Sequence, residues 1–483
     1  MRYTFLVGLL LFFVLLILAV YNLSNENKEK ISEIFFLYKN YEDLKAKSEE
    51  QTALVNRRNK IIIDLLDNNN TFHFEQRSEI KPEVNYTYGK DFIRKKENIS
   101  FNNILGQDLI LKKFAAPVLN STGPRAYFEY YEEKLFISTG TGTIIYSELK
   151  DLSKDNLKFK KISSNFMNKL GSEYVRDRKS IVKDIFIKND KVYLSVEKKL
   201  KEDCFISSII QADFDLEYLD FYNFFDMKEC QPEFSNNVGG MISDFKDNKI
   251  LFAIGDYDSS TRLTKKYTAS QDKQSLLGKI VSVNLSNADF EILSMGHRSQ
   301  SGLFYFADQN IIINSEHGPQ GGDEININTN PFNNTKNFGW PIASYGEHYG
   351  FPERDNTQKY IDAPLKKSHK EFGFEEPLKE FTPSIGISDF IVNEDFFGIK
   401  DKTIFIVGAL GYDVSEGDQS LHILVYDQNY ILENHEILVI NDRIRDIIYI
   451  KDLKKIYLFL ETFYDYSHDG SWVNSIASIE ISN

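Results

Sequence analysis

The sequence predicts an all-β fold, a six-bladed β-propeller, preceded by an N-terminal transmembrane helix and a helical stalk. Two observations predict the ring and a third predicts the anchor. A unit of apolar strand, Asp- or Asn-containing turn and second apolar strand recurs about six times at intervals of roughly 45 to 75 residues, as one four-stranded blade per repeat requires. Aromatic residues make up 14% of the 483, with only 11 prolines. That composition suits strands, although a nucleotide bias toward Lys, Asn and Ile codons explains it equally well. The third observation is a charge-free run at the start of the chain.

That run extends from Tyr3 to Asn25, and its core from Phe5 to Val20 is almost wholly apolar. With its flanks it is long enough to cross a bilayer, so residues 1–25 are expected to form an uncleaved anchor. A cleaved signal peptide is the rival reading, but the region near Ala19 offers no small-x-small cleavage site. Arg2 and the amino terminus favour a cytoplasmic N-terminus and an exported body on the periplasmic or extracellular side, a signal that Lys28 and Lys30 blur. Residues 26–67 are charged, lack Gly and Pro, and place Ile31, Ile34, Leu37, Tyr41, Leu44, Leu54 and Val55 at roughly helical spacing. Ser48 and Gln51 interrupt a coiled-coil seam, so a single helical stalk is expected. Residues 68–104, with Asn68-Asn69-Asn70 and the charged run Arg94 to Glu97, read as an irregular linker. The propeller is expected over 105–483.

Within it the repeated units are Lys134–Ser138, Val182–Leu194, Ile242–Phe252, Gly302–Ile313, Ile387–Ile391 with Thr403–Ile406, and Ile444–Leu458. A β-sandwich would not readily explain the same signature so many times. The formal charge of −14 opposes polyphosphate, which argues against a nucleic-acid partner. Cys204 and Cys230 are the only cysteines, too few for a disulfide framework. An exported body would allow them one bridge, and two separate thiols remain equally open. No Cys/His metal spacing occurs.

One stretch carries more special chemistry than ordinary turns need. The apolar run Ile311 to Ile313 leads to Glu316-His317-Gly318-Pro319-Gln320-Gly321-Gly322-Asp323-Glu324, followed by Gly339-Trp340-Pro341 and Tyr345-Gly346-Glu347-His348-Tyr349. Backbone carbonyls and carboxylates can converge there on a hard cation such as calcium. Further motifs are Gln271-Asp272 with Leu277-Gly278-Lys279-Ile280, Gly296-His297-Arg298-Ser299-Gln300-Ser301-Gly302-Leu303, Pro383-Ser384-Ile385 and Arg443-Ile444-Arg445-Asp446.

In this order the motifs resemble the soluble glucose and aldose sugar dehydrogenase family, six-bladed propellers that use pyrroloquinoline quinone (PQQ) and calcium. The resemblance covers roughly residues 105–483 and is strongest over 236–349 and 383–446. It implies that Arg298, Arg443 and Arg445 contact the cofactor, with Arg298 also near its reacting carbonyl. PQQ carries three carboxylates and an ortho-quinone, for which fixed guanidinium groups are suited. Taken alone, each arginine reads as an ion-pair partner. The resemblance also implies that Gly318 and Pro319 offer main-chain oxygens to a cofactor-bound calcium, and that Glu324 and the Phe338 carbonyl hold a second calcium. Taken alone, Glu324 reads as a turn carboxylate capping backbone amides.

Catalytic residues are where the chain departs from the family. A histidine that begins a His-Phe-Gly-Gly-Arg segment in the family, and acts there as general base, is Asn237 here, in Asn237-Val238-Gly239-Gly240-Met241. An amide can orient a substrate hydroxyl but cannot take its proton. The Asn and Gln that follow the family's arginine become Ser299 and Ser301, and a lysine after Gly-Ala-Leu becomes Gly411. Asp256 matches the aspartate that supports the histidine and could be recruited as base; its plain reading is a strand-end aspartate receiving backbone hydrogen bonds. His297 and His348 are also available, yet histidines in motif turns, such as His317 and His348, read as structural, so the base is not moved to them. The expected function is therefore membrane-anchored oxidation of a sugar or polyol with PQQ and calcium. The alternative is an inactive, calcium-stabilised propeller that binds carbohydrate or protein.

Overall fold

Six sheets, antiparallel apart from two short parallel pairings and each with an inner strand at one edge, make up the computed structural model, which describes residues 83–87, 98–115, 125–152, 156–257, 268–349, 357–394, 396–463 and 472–481. In chain order the inner strands are Ala126–Tyr131, Val182–Lys188, Gly239–Phe245, Ser299–Phe306, Ile387–Asn393 and Arg443–Ile450, and they define blades one to six. Each inner strand touches the next and the sixth touches the first, so the ring is closed. This is the six-bladed propeller. The expected transmembrane helix (1–25) and stalk (26–67) lie outside the described residues. Among the described residues no helix is long and apolar enough to cross a membrane.

Closure uses a strand from early in the chain. Trp472–Glu480 of blade six pairs antiparallel with Gln107–Ala115, which pairs in turn with Asn98–Ile104. Sheet structure therefore starts inside the segment expected to be a linker (68–104), and Glu83–Thr87 also pairs with Asn156–Ser164 of blade one. The alternation that makes 98–104 a strand is present: Ile99, Phe101 and Ile104 pack on the core while Asn98 and Ser100 face solvent. The preceding charged run obscures that short pattern.

Apolar residues on both faces of each blade explain the packing. Six separate hydrophobic clusters fill the six blade interfaces, from Tyr127, Phe136, Val182 and Leu194 between blades one and two to Phe114, Phe128, Tyr457 and Phe459 between blades six and one. Burial of these side chains is the main stabilising term. Carboxylates then clip neighbouring blades. Asp184 Oδ2 accepts from Ile242 N at 2.7 Å, Asp323 Oδ2 from Ile387 N at 2.8 Å, and Asp446 from Phe128 N across the closure. Burial pushes the Asp446 carboxyl up to about 6 and Asp184 well above its ordinary value. Cys204 and Cys230 are joined in a disulfide on blade two.

One irregularity positions the site. In blades two to six the inner strand slips register against its neighbour, at Val182/Asp184, Gly239/Ile242, Gln300/Gly302, Ile387/Phe390 and Ile444/Asp446. A bulge re-aims the extra residue. Lys183, Met241, Ser301 and Arg445, which are such residues, all contribute to the wall of one cavity.

Candidate functional site

Inner strands begin, and their partners end, on one face of the ring, so the loops that enter the former and leave the latter gather on that face. There they line a cavity of about 600 Å³. Its wall gathers Arg125 and Tyr127 from blade one, Lys183 from blade two, and Asn236, Asn237 and Met241 from blade three. Blades four to six contribute Arg298 to Ser301, His317 to Gly321, Gly411 and Tyr412, and Arg443 with Arg445. Thus Asn237, Arg298, Ser299, Ser301, Gly318, Pro319, Arg443 and Arg445, widely spaced along the chain, meet at one mouth.

Arg298 is 4% exposed and is held by main-chain oxygens: Nη1 donates to Gly318 O at 2.7 Å and His317 O at 3.1 Å. Its guanidinium lies 5.4 Å from the Trp340 ring. No carboxylate pairs with it among the described residues, so its charge is available to a ligand. The turn that holds it depends on Gly318, whose added Cβ would sit 2.1 Å from Gly322 O, and on Asp323, which accepts from Gly318 N at 2.9 Å.

Arg445 and Arg443 share one buried carboxylate. Arg445 Nε and Nη2 meet Glu461 at 2.6 and 3.1 Å, and Arg443 Nε lies 3.5 Å from it. Burial would raise the Glu461 pKa, but the two guanidinium groups pull it below the ordinary value. Arg443 also donates to Leu410 O and lies 4.5 Å from the centre of the Tyr412 ring. Gly411 lines the mouth beside them, with the Asp418 carboxyl standing where a side chain would begin.

Ser301 turns away to bond the Ile387 and Ser388 carbonyls at 3.0 and 3.3 Å. The neighbouring Gln300 is 2% exposed, and among the described residues both its amide atoms lack a hydrogen-bond partner, as does Arg298 Nε. Unpartnered donors and an acceptor, buried at a cationic mouth, fit a polar anionic ligand such as PQQ. Arg298, Gln300, Arg443 and Arg445 would hold it.

The calcium positions read differently. Arg298 already occupies the Gly318 carbonyl, so a cation there would displace it or share. Behind Gly318 a void of about 10 Å³ is lined by Glu316, Glu324, Phe338, Trp340 and His369. Glu324 faces His369 Nε2 at 3.3 Å and Asn326 Nδ2 at 3.3 Å, so nitrogen groups fill places where a cation would sit. Among the described residues no group of three or more His, Cys, Asp or Glu is arranged to hold a metal.

Asp256 is set behind the mouth rather than in it. It is fully buried, its Oδ2 accepts from Trp340 Nε1 at 2.7 Å and its N–H donates to Arg298 O at 2.7 Å. Its structure is that of a support for the arginine-bearing strand. Asn237 does line the cavity, anchored by its main chain to Ser235 Oγ and Tyr257 N. His348 is structural, bonded to Ala363 O at 2.7 Å, and His297 is buried between Ser294 and Glu316. His317 differs from its expected structural role: it lines the cavity, where burial and then Arg298 push its pKa down to about 3. An imidazole so weakly basic accepts hydrogen bonds, not protons. Arg125, Lys183, Gln300 and His317 are the mouth residues that sequence reading missed. Only Lys183 left a signal, as a cation inside the apolar run Ile181 to Ile187.

The family model for glucose/sorbosone dehydrogenases matches residues 179–463, more than half of the chain. The chain belongs to that family. It is 28% identical over 211 residues to the aldose sugar dehydrogenase YliI of Escherichia coli, a match covering 38% of this chain and 51% of that protein. An uncharacterised protein of Synechocystis sp. is 27% identical over 257 residues, 50% of this chain and 57% of the relative. The chain thus spans little more than half the length of these relatives. Among solved structures, the apo soluble aldose sugar dehydrogenase of Escherichia coli superposes with a TM-score of 0.54 at 18% identity, covering 74% of this chain and 95% of that one. A glucose dehydrogenase gives 0.53 at 19% identity, covering 73% and 95%. These superpositions establish the shared propeller fold.

Proposed function

We propose that this member of the glucose/sorbosone dehydrogenase family is a PQQ-dependent oxidoreductase acting on a sugar or polyol. The convergence of Arg298, Arg443 and Arg445 with the Gly318-Pro319 turn on one cavity carries this reading. Bound PQQ would supply the hydride acceptor. The chain's own part is to fix the cofactor's carboxylates with the arginines, to exclude bulk water by the depth of the mouth, and to orient the substrate hydroxyl at Asn237.

Asn237 favours a second reading, a propeller that binds sugar without turning it over, since an amide there accepts no proton. One experiment separates the two. The full chain is purified, loaded with PQQ and calcium, and assayed for cofactor binding and dye reduction over a panel of sugars and polyols. Binding at micromolar PQQ with sugar-dependent dye reduction is the expected result; no PQQ binding rejects the enzyme reading, and sugar binding without reduction selects the second.

The charge-free run Tyr3–Asn25 and the Cys204–Cys230 disulfide together support an anchored protein with its propeller in an oxidising, exported compartment. Membrane fractionation with protease protection tests this, and a propeller shielded on the cytoplasmic side would reject it.

A further inference from the structure

The arc of the mouth formed by blades one to three carries cations that neither the motifs nor the proposed cofactor contacts use. Arg125 precedes the first inner strand, lines the cavity, and donates from Nη2 to Asn236 Oδ1 at 3.2 Å. Lys183 is the bulge residue of blade two, 3% exposed and also on the cavity wall. The stem of its side chain packs on Gly240, where an added Cβ would lie 2.3 Å from Lys183 Cβ. Both cations therefore flank the segment Asn236–Met241, which contains the substrate-facing Asn237.

The Lys183 ammonium is held but not satisfied. It forms a long ion pair with Glu197 Oε2 at 3.6 Å, and among the described residues neither atom has a hydrogen-bond partner of ordinary length. Glu197 is instead fixed from below by Ser235 N at 2.9 Å. The Phe234 ring, 5.1 Å from Lys183 Nζ on one side and 5.1 Å from Arg178 Cζ, completes the enclosure. Arg125 has no carboxylate partner among the described residues.

We infer that Arg125 and Lys183 form an oxyanion subsite, so that the sugar accepted at Asn237 carries a carboxylate or phosphate group. This rests on the reading of the mouth as a sugar site. A ligand oxyanion between the two cations supplies a close acceptor to Lys183 Nζ and a directly paired charge to Arg125. The charged groups facing Lys183 are Glu197, Arg125 and Arg445. Burial lowers its pKa to about 7, Glu197 opposes that shift, and the two arginines add to it. A bound anion favours the charged ammonium, so binding takes up protons near neutral pH.

The test is isothermal titration of the full chain, without cofactor, with D-glucuronate, glucose 6-phosphate and glucose. One or both anionic sugars should bind at least 10-fold more tightly than glucose, and that preference should shrink with added salt. Which anion wins identifies carboxylate or phosphate as the group recognised. Arg125→Gln and the double variant Lys183→Met/Glu197→Gln, which removes the buried pair together, should each erase most of the preference. Lys183→Arg should keep it. Equal affinity for all three sugars, or unchanged preference in both variants, overturns the subsite. Dye reduction on the same samples keeps the two ideas apart: selective binding without reduction sinks the dehydrogenase reading alone, and reduction without anion preference sinks the subsite alone.

Discussion

The two arcs of the mouth are built by different rules. Blades four to six hold their arginines in place: Arg298 on two carbonyls, Arg443 and Arg445 on Glu461. Blades one to three present theirs to the cavity with looser support among the described residues, Lys183 lying 3.6 Å from Glu197 Oε2 and Arg125 bonded to the Asn236 amide oxygen. The first arc carries the motifs on which the family resemblance rests, and the second sets Asn237 beside two cations. A preorganised arc suits a fixed cofactor, while an arc with unspent donors suits a ligand that comes and goes.

Breaking the held arc should have the largest effect. Arg445→Met leaves Glu461 buried with a more distant partner, which should cost about 3–5 kcal/mol of stability in urea unfolding and abolish PQQ binding. A loss under about 1 kcal/mol would mean that Arg443 alone satisfies Glu461. In the open arc, Asn237→His restores a general base where the family has one. If the cofactor binds as proposed, kcat for sugar-dependent dye reduction should rise by about 10²-fold, and an unchanged kcat would place the limiting step away from proton removal.

The disulfide lies in the open arc, on blade two. Replacing it by Cys204→Ala/Cys230→Ala should lower stability by about 3 kcal/mol, measured by denaturant unfolding, because its loop closure constrains the unfolded chain. The smallest expected effect is electrostatic. Burial raises the Glu129 pKa from 4.5 to about 8. Between those values the folded state holds a proton that the unfolded state has released, so this group's contribution to stability falls as pH rises through that window. Glu129→Gln should therefore flatten the decline of Tm with pH between about 5 and 8, relative to the parent protein.

Much of the ring was legible because its units repeat. The Asp within Val182-Lys183-Asp184-Ile185 and Ile444-Arg445-Asp446-Ile447 recurs since each carboxylate caps an amide of the next blade. The strand Asn98–Ile104 was not legible, because its alternation is short and follows a charged run. Within the site, Arg298, Arg443, Arg445 and Gly318 could be read from motifs. Gln300 could not, since nothing in its sequence distinguishes a buried unpartnered amide from a surface one.

By itself the sequence determined the strand periodicity, the glycines without which the Gly318 turn cannot close, and the loss of a base at position 237. These are local matters of side-chain size, spacing and chemistry. Tertiary structure decided which groups share a cavity and which are spent. It set Asp256 against Trp340, turned Ser301 into the wall, gave Gly318 O to Arg298, and brought Lys183 and Arg125 to the same cavity wall. Such outcomes depend on closing the ring, which joins blades far apart in the chain and fixes every bulge residue's direction at once.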